Sequence, residues 1–133
     1  MAFVWPVRVY WEDTDAGGVV YYANYLKFLE RARSEWLRSL GFEQDVLRER
    51  EGVVFVVRRV EIDYLSPARF NDALEISVEP GATGRVSLEV VQTIGRGPTR
   101  LAQAQVKLAC VEAVSFKPAR IPASILQATG AAT

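Results

Sequence analysis

Apolar side chains recur at spacings of three and four residues between positions 24 and 40, and this period predicts one long amphipathic helix. The polar residues of the segment fall mostly on the other faces. Asn24 is a candidate N-cap of this helix and Gly41 a candidate C-cap glycine. The predicted apolar face carries Tyr25, Phe28, Leu29, Ala32, Trp36 and Leu40.

Segments rich in β-branched or alternating apolar residues lie on both sides of this helix and predict strands. Pro80 and Gly81 are expected to end the third strand, and the charged segment 43–51 is expected to be a connection. Pro122 and the apolar residues after it predict a short terminal helix. The five strands are predicted at residues 7–11, 53–65, 73–79, 85–94 and 101–114.

The order of one strand, one long helix and four strands predicts an α+β fold in which the helix packs on a five-stranded antiparallel sheet. We expect a single domain over residues 1–133, with a core at 7–126 and a frayed Ala/Thr/Gly-rich tail at 127–133. The helix covers one face of the sheet. A second subunit is expected to cover the edges and the other face.

Composition narrows the class of protein. Sixteen basic residues balance sixteen acidic ones, which disfavours nucleic acid and anionic membranes as partners. The single cysteine, Cys110, cannot form an internal disulfide and suits a reducing compartment. The first residues lack the pattern of a signal peptide, and no apolar run is long enough to span a bilayer. We therefore expect a cytoplasmic protein without membrane insertion.

The chain contains no histidine, which removes the usual Ser-His-Asp and Cys-His mechanisms. One cysteine without histidine also cannot build an ordinary zinc site. No nucleophile-elbow, P-loop or dinucleotide-binding motif is present. Any chemistry must use carboxylates, backbone amides, tyrosines or hydroxyls, and we expect neither a metal nor a cofactor.

Residues 13–25, DTDAGGVVYYANY, resemble the motif of the 4-hydroxybenzoyl-CoA thioesterase family. Residues 55–59, 64–69 and 117–122 are similar to its Tol–Pal-associated, YbgC-type branch. The resemblance covers about residues 7 to 126. It implies a hotdog fold, a central helix wrapped by a curved antiparallel sheet, and hydrolysis of acyl-CoA without a metal. It also implies dimers, commonly paired into tetramers, with active sites at the dimer interface.

The resemblance also implies the roles of residues around this motif. Asp15 would be the catalytic carboxylate, either as nucleophile or as general base, and the backbone amide of Tyr22 would polarise the thioester carbonyl with Gly18 nearby. Many relatives have histidine at the position of Tyr22, so the acyl preference is expected to differ from theirs. The implied acyl-pocket residues are Val19, Tyr25 and Glu30.

The same residues also have purely structural interpretations. Asp13 and Asp15 are typical of an Asx-rich turn, which we favour for Asp13. Glu30 is equally compatible with a solvated or ion-paired helix position. Tyr22 and Tyr25 are typical of an aromatic core.

A rim of basic residues is expected for the phosphates of CoA. Arg85 matches one position of the family's phosphate-contacting cluster, although its neighbours do not match. Each of these residues alone is more typical of a solvated surface charge than of a phosphate contact. The candidates are Arg85, Arg58, Arg59, Lys117 and Arg120.

Two other classes compete with the thioesterase interpretation. One is a hotdog protein that binds acyl-CoA or acyl carrier protein with little or no activity, against which Asp15 and the following glycines argue. The other is a hotdog dehydratase, which depends on a histidine that this chain lacks. The acyl group stays open, as does acyl carrier protein as an alternative thioester donor.

Overall fold

One long helix lies against a five-stranded antiparallel sheet in the computed structural model, which describes residues 2–129. This arrangement confirms the predicted α+β fold. A 3₁₀ turn at Trp11–Asp13 follows the first strand. The strands are β1 Phe3–Arg8, β2 Val53–Tyr64, β3 Ala73–Thr83, β4 Ser87–Arg96 and β5 Thr99–Glu112, and the helices are α1 Asn24–Ser39, α2 Gln44–Glu51 and α3 Ala123–Ala128.

The strand order β1-β3-β4-β5-β2 leaves β1 and β2 at the two edges of the sheet. β1 has six residues and contains Pro6, which cannot donate a backbone hydrogen bond. β2 has 12 residues and, within the described part of the chain, pairs on one side only, with β5. A long unpaired edge presents a row of backbone donors and acceptors to a further strand.

The apolar face of α1 is buried against the sheet. Phe28 and Ala32 have no exposed surface, and Leu29 has almost none. On the sheet side, strands alternate buried and exposed residues, as the period of two requires. The strand residues that face the helix include Ile76, Val90, Ile94, Ala104 and Val106.

One polar link crosses this apolar layer. The Arg33 guanidinium in α1 donates from Nη1 to Oε1 of Gln92 in β4 over 3.0 Å. The Gln92 amide in turn donates from Nε2 to the carbonyl oxygen of Leu29 over 3.1 Å. Gln92 is fully buried and Arg33 nearly so. Burial lowers the pKa of Arg33, and the nearby Glu30 offsets part of that effect.

The start of the chain differs from the prediction. The first strand spans Phe3–Arg8 rather than 7–11, so ordered structure begins before the predicted core at residue 7. The Asp13 carboxylate accepts the Tyr10 N–H at 2.8 Å, and this bond favours the 3₁₀ turn over a longer strand. Asn24 is also not the N-cap. The cap position is Ala23, and Asn24 is the first residue of α1.

The strands β4 and β5 are each shifted by two residues from the prediction, and three other differences are larger. Residues 44–51 form α2, which the pattern missed because Leu47 is its only buried residue. β3 continues through Pro80, which pairs with Val90 of β4, although β1 pairs with β3 only as far as Val78. The predicted frayed tail is helical at 127–128 and buried at Thr129. Its last part, 130–133, lies outside the described residues.

Replacing the buried glutamine with leucine, Gln92→Leu, should lower the free energy of unfolding by about 2–4 kcal/mol, because it leaves the buried Arg33 guanidinium without an acceptor. The double variant Arg33→Met/Gln92→Leu should recover at least half of the loss, since it removes both polar groups. Urea denaturation measures both effects. Gln105→Leu, on an exposed position of β5, is the control. Equal losses in the single and double variants would contradict the link.

Candidate active site

The motif forms a tight turn between β1 and α1, with Asp15 at its corner. The Asp15 N–H donates to the carbonyl oxygen of Val19 over 2.9 Å, and the Gly18 N–H donates to that of Asp15 over 3.0 Å. An antiparallel bridge between Thr14 and Val20 closes the turn. Gly18 has φ +79°, a left-handed conformation that residues with a Cβ adopt at a cost. The glycine therefore sets the direction in which the chain leaves Asp15.

The Asp15 carboxylate is exposed and only partly engaged. Its Oδ1 accepts the Gly17 N–H at 2.9 Å, which is the Asx turn that the alternative interpretation predicted. No other hydrogen bond to this carboxylate occurs within residues 2–129. One carboxylate oxygen is therefore available to a ligand, and water reaches it freely in the single chain.

Asp13 anchors the turn to the helix. It is buried, and its carbonyl oxygen accepts both the Tyr21 N–H at 3.0 Å and the side-chain Nδ2 of Asn24 at 2.9 Å. Its carboxylate is used by the Tyr10 N–H. These bonds agree with the structural interpretation of Asp13. They also explain why Asn24 stands at the first residue of α1.

The Tyr22 backbone lies between this turn and the helix. The peptide that carries the Tyr22 N–H also carries the Tyr21 carbonyl, which accepts the Asn24 N–H at 2.8 Å. Within residues 2–129 the Tyr22 N–H donates to no acceptor. It stands next to the N-terminus of α1, where the helix dipole favours negative charge. The amide is therefore a free donor in a positive potential.

An aromatic cleft of about 300 Å³ opens beside this amide. The rings of Tyr25 and Tyr64 meet edge to face with centroids 5.1 Å apart. Tyr25 is buried, and its phenol oxygen accepts the Ala68 N–H at 3.0 Å, so it belongs to the core and to the cleft wall together. The cleft is lined by Val20, Tyr22, Tyr25, Tyr64, Leu65, Ser66 and Pro67.

Two phenols near the motif, those of Tyr21 and Tyr64, favour their protonated form. Partial burial raises the pKa of Tyr64, and the neighbouring Tyr25 and Tyr22 add to the effect. Interaction with the Tyr22 phenol raises the pKa of Tyr21, with a smaller contribution from the Asp15 carboxylate. These tyrosines are therefore hydrogen-bond donors near neutral pH rather than bases.

The loop under the motif is held by an ion pair. Ala68 accepts the Val20 N–H at 2.8 Å, and Val19 bridges to Arg69. Nearby, the Asp72 carboxylate lies 2.7 Å from the Arg96 guanidinium. Partial burial raises the pKa of Asp72, but the Arg69 N–H and Arg96 outweigh that effect and hold this pKa below its usual range. The Asp72 carboxylate is therefore neutralised by Arg96, and Asp15 takes no part in this ion pair.

The predicted acyl-pocket residues do not all meet in one place. Val19 lies in the turn and Tyr25 in the aromatic cleft. Glu30 is exposed and lines a separate cleft of about 230 Å³ with Arg33, Ser34 and Phe55, beside the β2 edge. Tyr64 was missed as a site residue because its strand pattern gives no sign of the tertiary contact with Tyr22.

Two of the five predicted basic residues share a cleft. Arg85 and Arg120 line a cavity of about 420 Å³ with largely apolar walls. The Ile121 N–H donates to the Arg85 carbonyl oxygen over 2.9 Å and brings the two segments together. Arg58, Arg59 and Lys117 do not line this cleft, and Arg59 forms an ion pair with Glu61.

No group of three His, Cys, Asp or Glu side chains in residues 2–129 is placed to hold a metal ion. Within the same residues, no helix combines the length and apolarity that crossing a membrane demands.

Comparison with known proteins gives concordant matches. Residues 17–103 match the thioesterase superfamily model. The acyl-CoA thioester hydrolase YbgC of Escherichia coli is 48% identical over 125 residues, which are 93% of this chain and 92% of that protein. The acyl-CoA thioesterase YbgC of Haemophilus influenzae is 44% identical over 92% of this chain and 90% of its own. The crystal structure of a probable thioesterase from Bartonella henselae superposes with a TM-score of 0.88 at 38% identity, over 92% of this chain and 100% of that one.

Proposed function

Because the chain belongs to the thioesterase superfamily and has its hotdog fold, we propose that it hydrolyses acyl-CoA thioesters to a free acid and CoA. Asp15 is the catalytic carboxylate, and the Tyr22 N–H polarises the carbonyl, with Gly18 beside it. One observation carries this proposal: a carboxylate oxygen of Asp15 and the Tyr22 N–H have no other partner within residues 2–129, and both lie in the short segment that leads into α1.

The chemistry follows from the polarity of these two groups. The Tyr22 N–H stabilises the negative charge that builds on the carbonyl oxygen. Asp15 either attacks the acyl carbon to form an anhydride that water then hydrolyses, or it takes a proton from an attacking water. In both routes the water hydroxyl ends on the acyl carbon and a proton on the CoA sulfur. A thiol is acidic enough to leave without strong acid catalysis, since its pKa is about 8.5.

The exposed position of Asp15 supports a site completed by a second copy of the chain. An aqueous carboxylate is a weak base, and desolvation would raise its pKa and reactivity. The outer edge of β2 is 12 residues long and has no pairing strand within residues 2–129, so it offers a surface for strand pairing between two copies. Such pairing would continue the sheet through both subunits and bring the Glu30 cleft of one against the motif of the other. We extend the proposal to pairs of such dimers.

The CoA phosphates are assigned to the cleft that Arg85 and Arg120 share, with Arg58, Arg59 and Lys117 as outer contacts. Two guanidinium groups on one rim suit phosphate oxygens, since each can donate two parallel hydrogen bonds. Acyl carrier protein is the alternative thioester donor. A cytoplasmic location suits a CoA substrate and the unpaired Cys110. An association with the Tol–Pal system is supported only by the resemblance of residues 55–59, 64–69 and 117–122.

Asp15→Asn should lower kcat for acyl-CoA hydrolysis at least about 100-fold, because an amide is neither a nucleophile nor a base. Release of free CoA with a panel of short, long and aryl acyl-CoAs measures this. Asp45→Asn, an exposed carboxylate in α2, is the matched control and should keep full activity. Turnover close to wild type in Asp15→Asn, with the fold and assembly intact, would reject the assignment.

Arg85→Ala and Arg120→Ala should each raise KM for acyl-CoA by about 3- to 10-fold while kcat changes little, because the phosphates are remote from the acyl carbon. Higher ionic strength should raise KM of the wild type and should have a smaller effect in the double variant. Arg48→Ala on α2 is the control. If the double variant keeps the wild-type KM and salt dependence, the phosphates bind elsewhere.

Sedimentation at micromolar concentration should show a species of at least twice the 14.8 kDa chain mass. Val57→Lys places a charge on the β2 edge, where Val57 is half exposed, and should shift the species towards monomer and lower activity. Val114→Lys changes an almost fully exposed residue in a turn and should alter neither. A fully active monomer would contradict the proposed interface.

A further inference from the structure

A single hydrogen bond joins the end of the β2 edge strand to the motif. The Tyr64 hydroxyl donates to the backbone carbonyl oxygen of Tyr22 over 2.9 Å, across 42 positions of sequence. Tyr64 is the last residue of β2, and Tyr22 lies two residues before α1. The bond therefore ties the sheet directly to the residue that carries the free amide.

The two peptides of Tyr22 are held by different partners. The peptide before it contains the free N–H and is fixed through the Tyr21 carbonyl, which accepts the Asn24 N–H at 2.8 Å. The peptide after it is fixed through the Tyr22 carbonyl by Tyr64. With both planes held, the φ and ψ angles of Tyr22 are set, and so is the direction of its N–H. Loss of either bond frees one of the two planes.

The Tyr64 ring does not need its hydroxyl to stay in place. It meets Tyr25 edge to face at 5.1 Å and Tyr22 edge to face at 6.3 Å. Tyr25 is itself fixed by the Ala68 N–H. Removing only the hydroxyl therefore deletes the bond to Tyr22 and preserves the packing.

We infer that Tyr64 is a positioning residue, which aims the polarising N–H of Tyr22 by holding the carbonyl of the same residue. The inference rests on the proposed function, because it assigns a role to a group of that same site. Tyr64 acts through the backbone and takes no part in proton transfer. Its benefit is a pre-oriented dipole, which costs no reorganisation when charge develops on the thioester oxygen.

Tyr64→Phe should lower kcat about tenfold and change KM less than twofold. The Tyr22 N–H would be misaligned and the reaction slower, while the contacts that bind the substrate would stay. Binding of an uncleavable thioether analogue of acyl-CoA should be unchanged. The melting temperature should fall little, because one half-exposed hydrogen bond is lost. Tyr10→Phe is the control, an exposed phenol for which residues 2–129 offer no hydrogen-bond partner.

Two results would overturn this inference. An unchanged kcat in Tyr64→Phe, together with an inactive Asp15→Asn, would show that the Tyr64–Tyr22 hydrogen bond is dispensable while the proposed chemistry stands. A shift of the alkaline limb of the kcat–pH profile in Tyr64→Phe would show that the phenol donates a proton rather than holding a carbonyl. Hydrolysis retained in Asp15→Asn would instead reject the proposed function itself.

Discussion

Burial of the apolar face of α1 against the sheet is the constraint on which the site depends. It fixes where the helix begins, because Phe28 and Leu29 must reach the sheet interior. The Arg33–Gln92–Leu29 link fixes the helix position further, since a buried guanidinium tolerates only the placement that gives it an acceptor. Loss of one partner of such a link is costly, because it leaves the other partner buried without a hydrogen bond. The N-terminus of the helix is thereby placed beside the turn that carries Asp15.

Hydrogen bonds to Asp13 order the backbone of the turn beside this helix end. Its carbonyl holds both Tyr21 and Asn24, and its carboxylate holds the preceding 3₁₀ turn. None of these bonds uses Asp15. The two acidic residues of the motif therefore have different roles. Asp13 is buried and orders the backbone, whereas Asp15 is exposed and, within residues 2–129, keeps one carboxylate oxygen without a partner. A turn ordered only by Asp15 would have used the carboxylate that the proposed chemistry requires.

The amino-acid pattern predicted what depends on periodicity and missed what depends on contacts between distant residues. The 3.6-residue period located α1 because its buried face is wide, whereas α2 buries only Leu47 and left no such pattern. The prediction made Asn24 the N-cap because the pattern does not distinguish a cap from the first helical residue. The structure does, since the Asn24 side chain donates to the Asp13 carbonyl. The roles given to Asp15 and Tyr22 came from family resemblance, not from periodicity. Tyr64 and the shared cleft of Arg85 and Arg120 needed the sheet pairing.

The exposure of Asp15 is consistent with how a carboxylate has to be used in a protein without histidine. A carboxylate buried in the single chain would cost several kcal/mol of folding free energy or would take up a proton. Leaving it at the surface avoids that cost, but water then keeps it a weak base. In the proposed assembly, a second copy and the substrate would cover the carboxylate, and the desolvation would then occur in the bound state, where association free energy would offset it. In the proposed mechanism the Tyr22 amide is the donor to the developing charge, and this role requires that its direction be fixed beforehand.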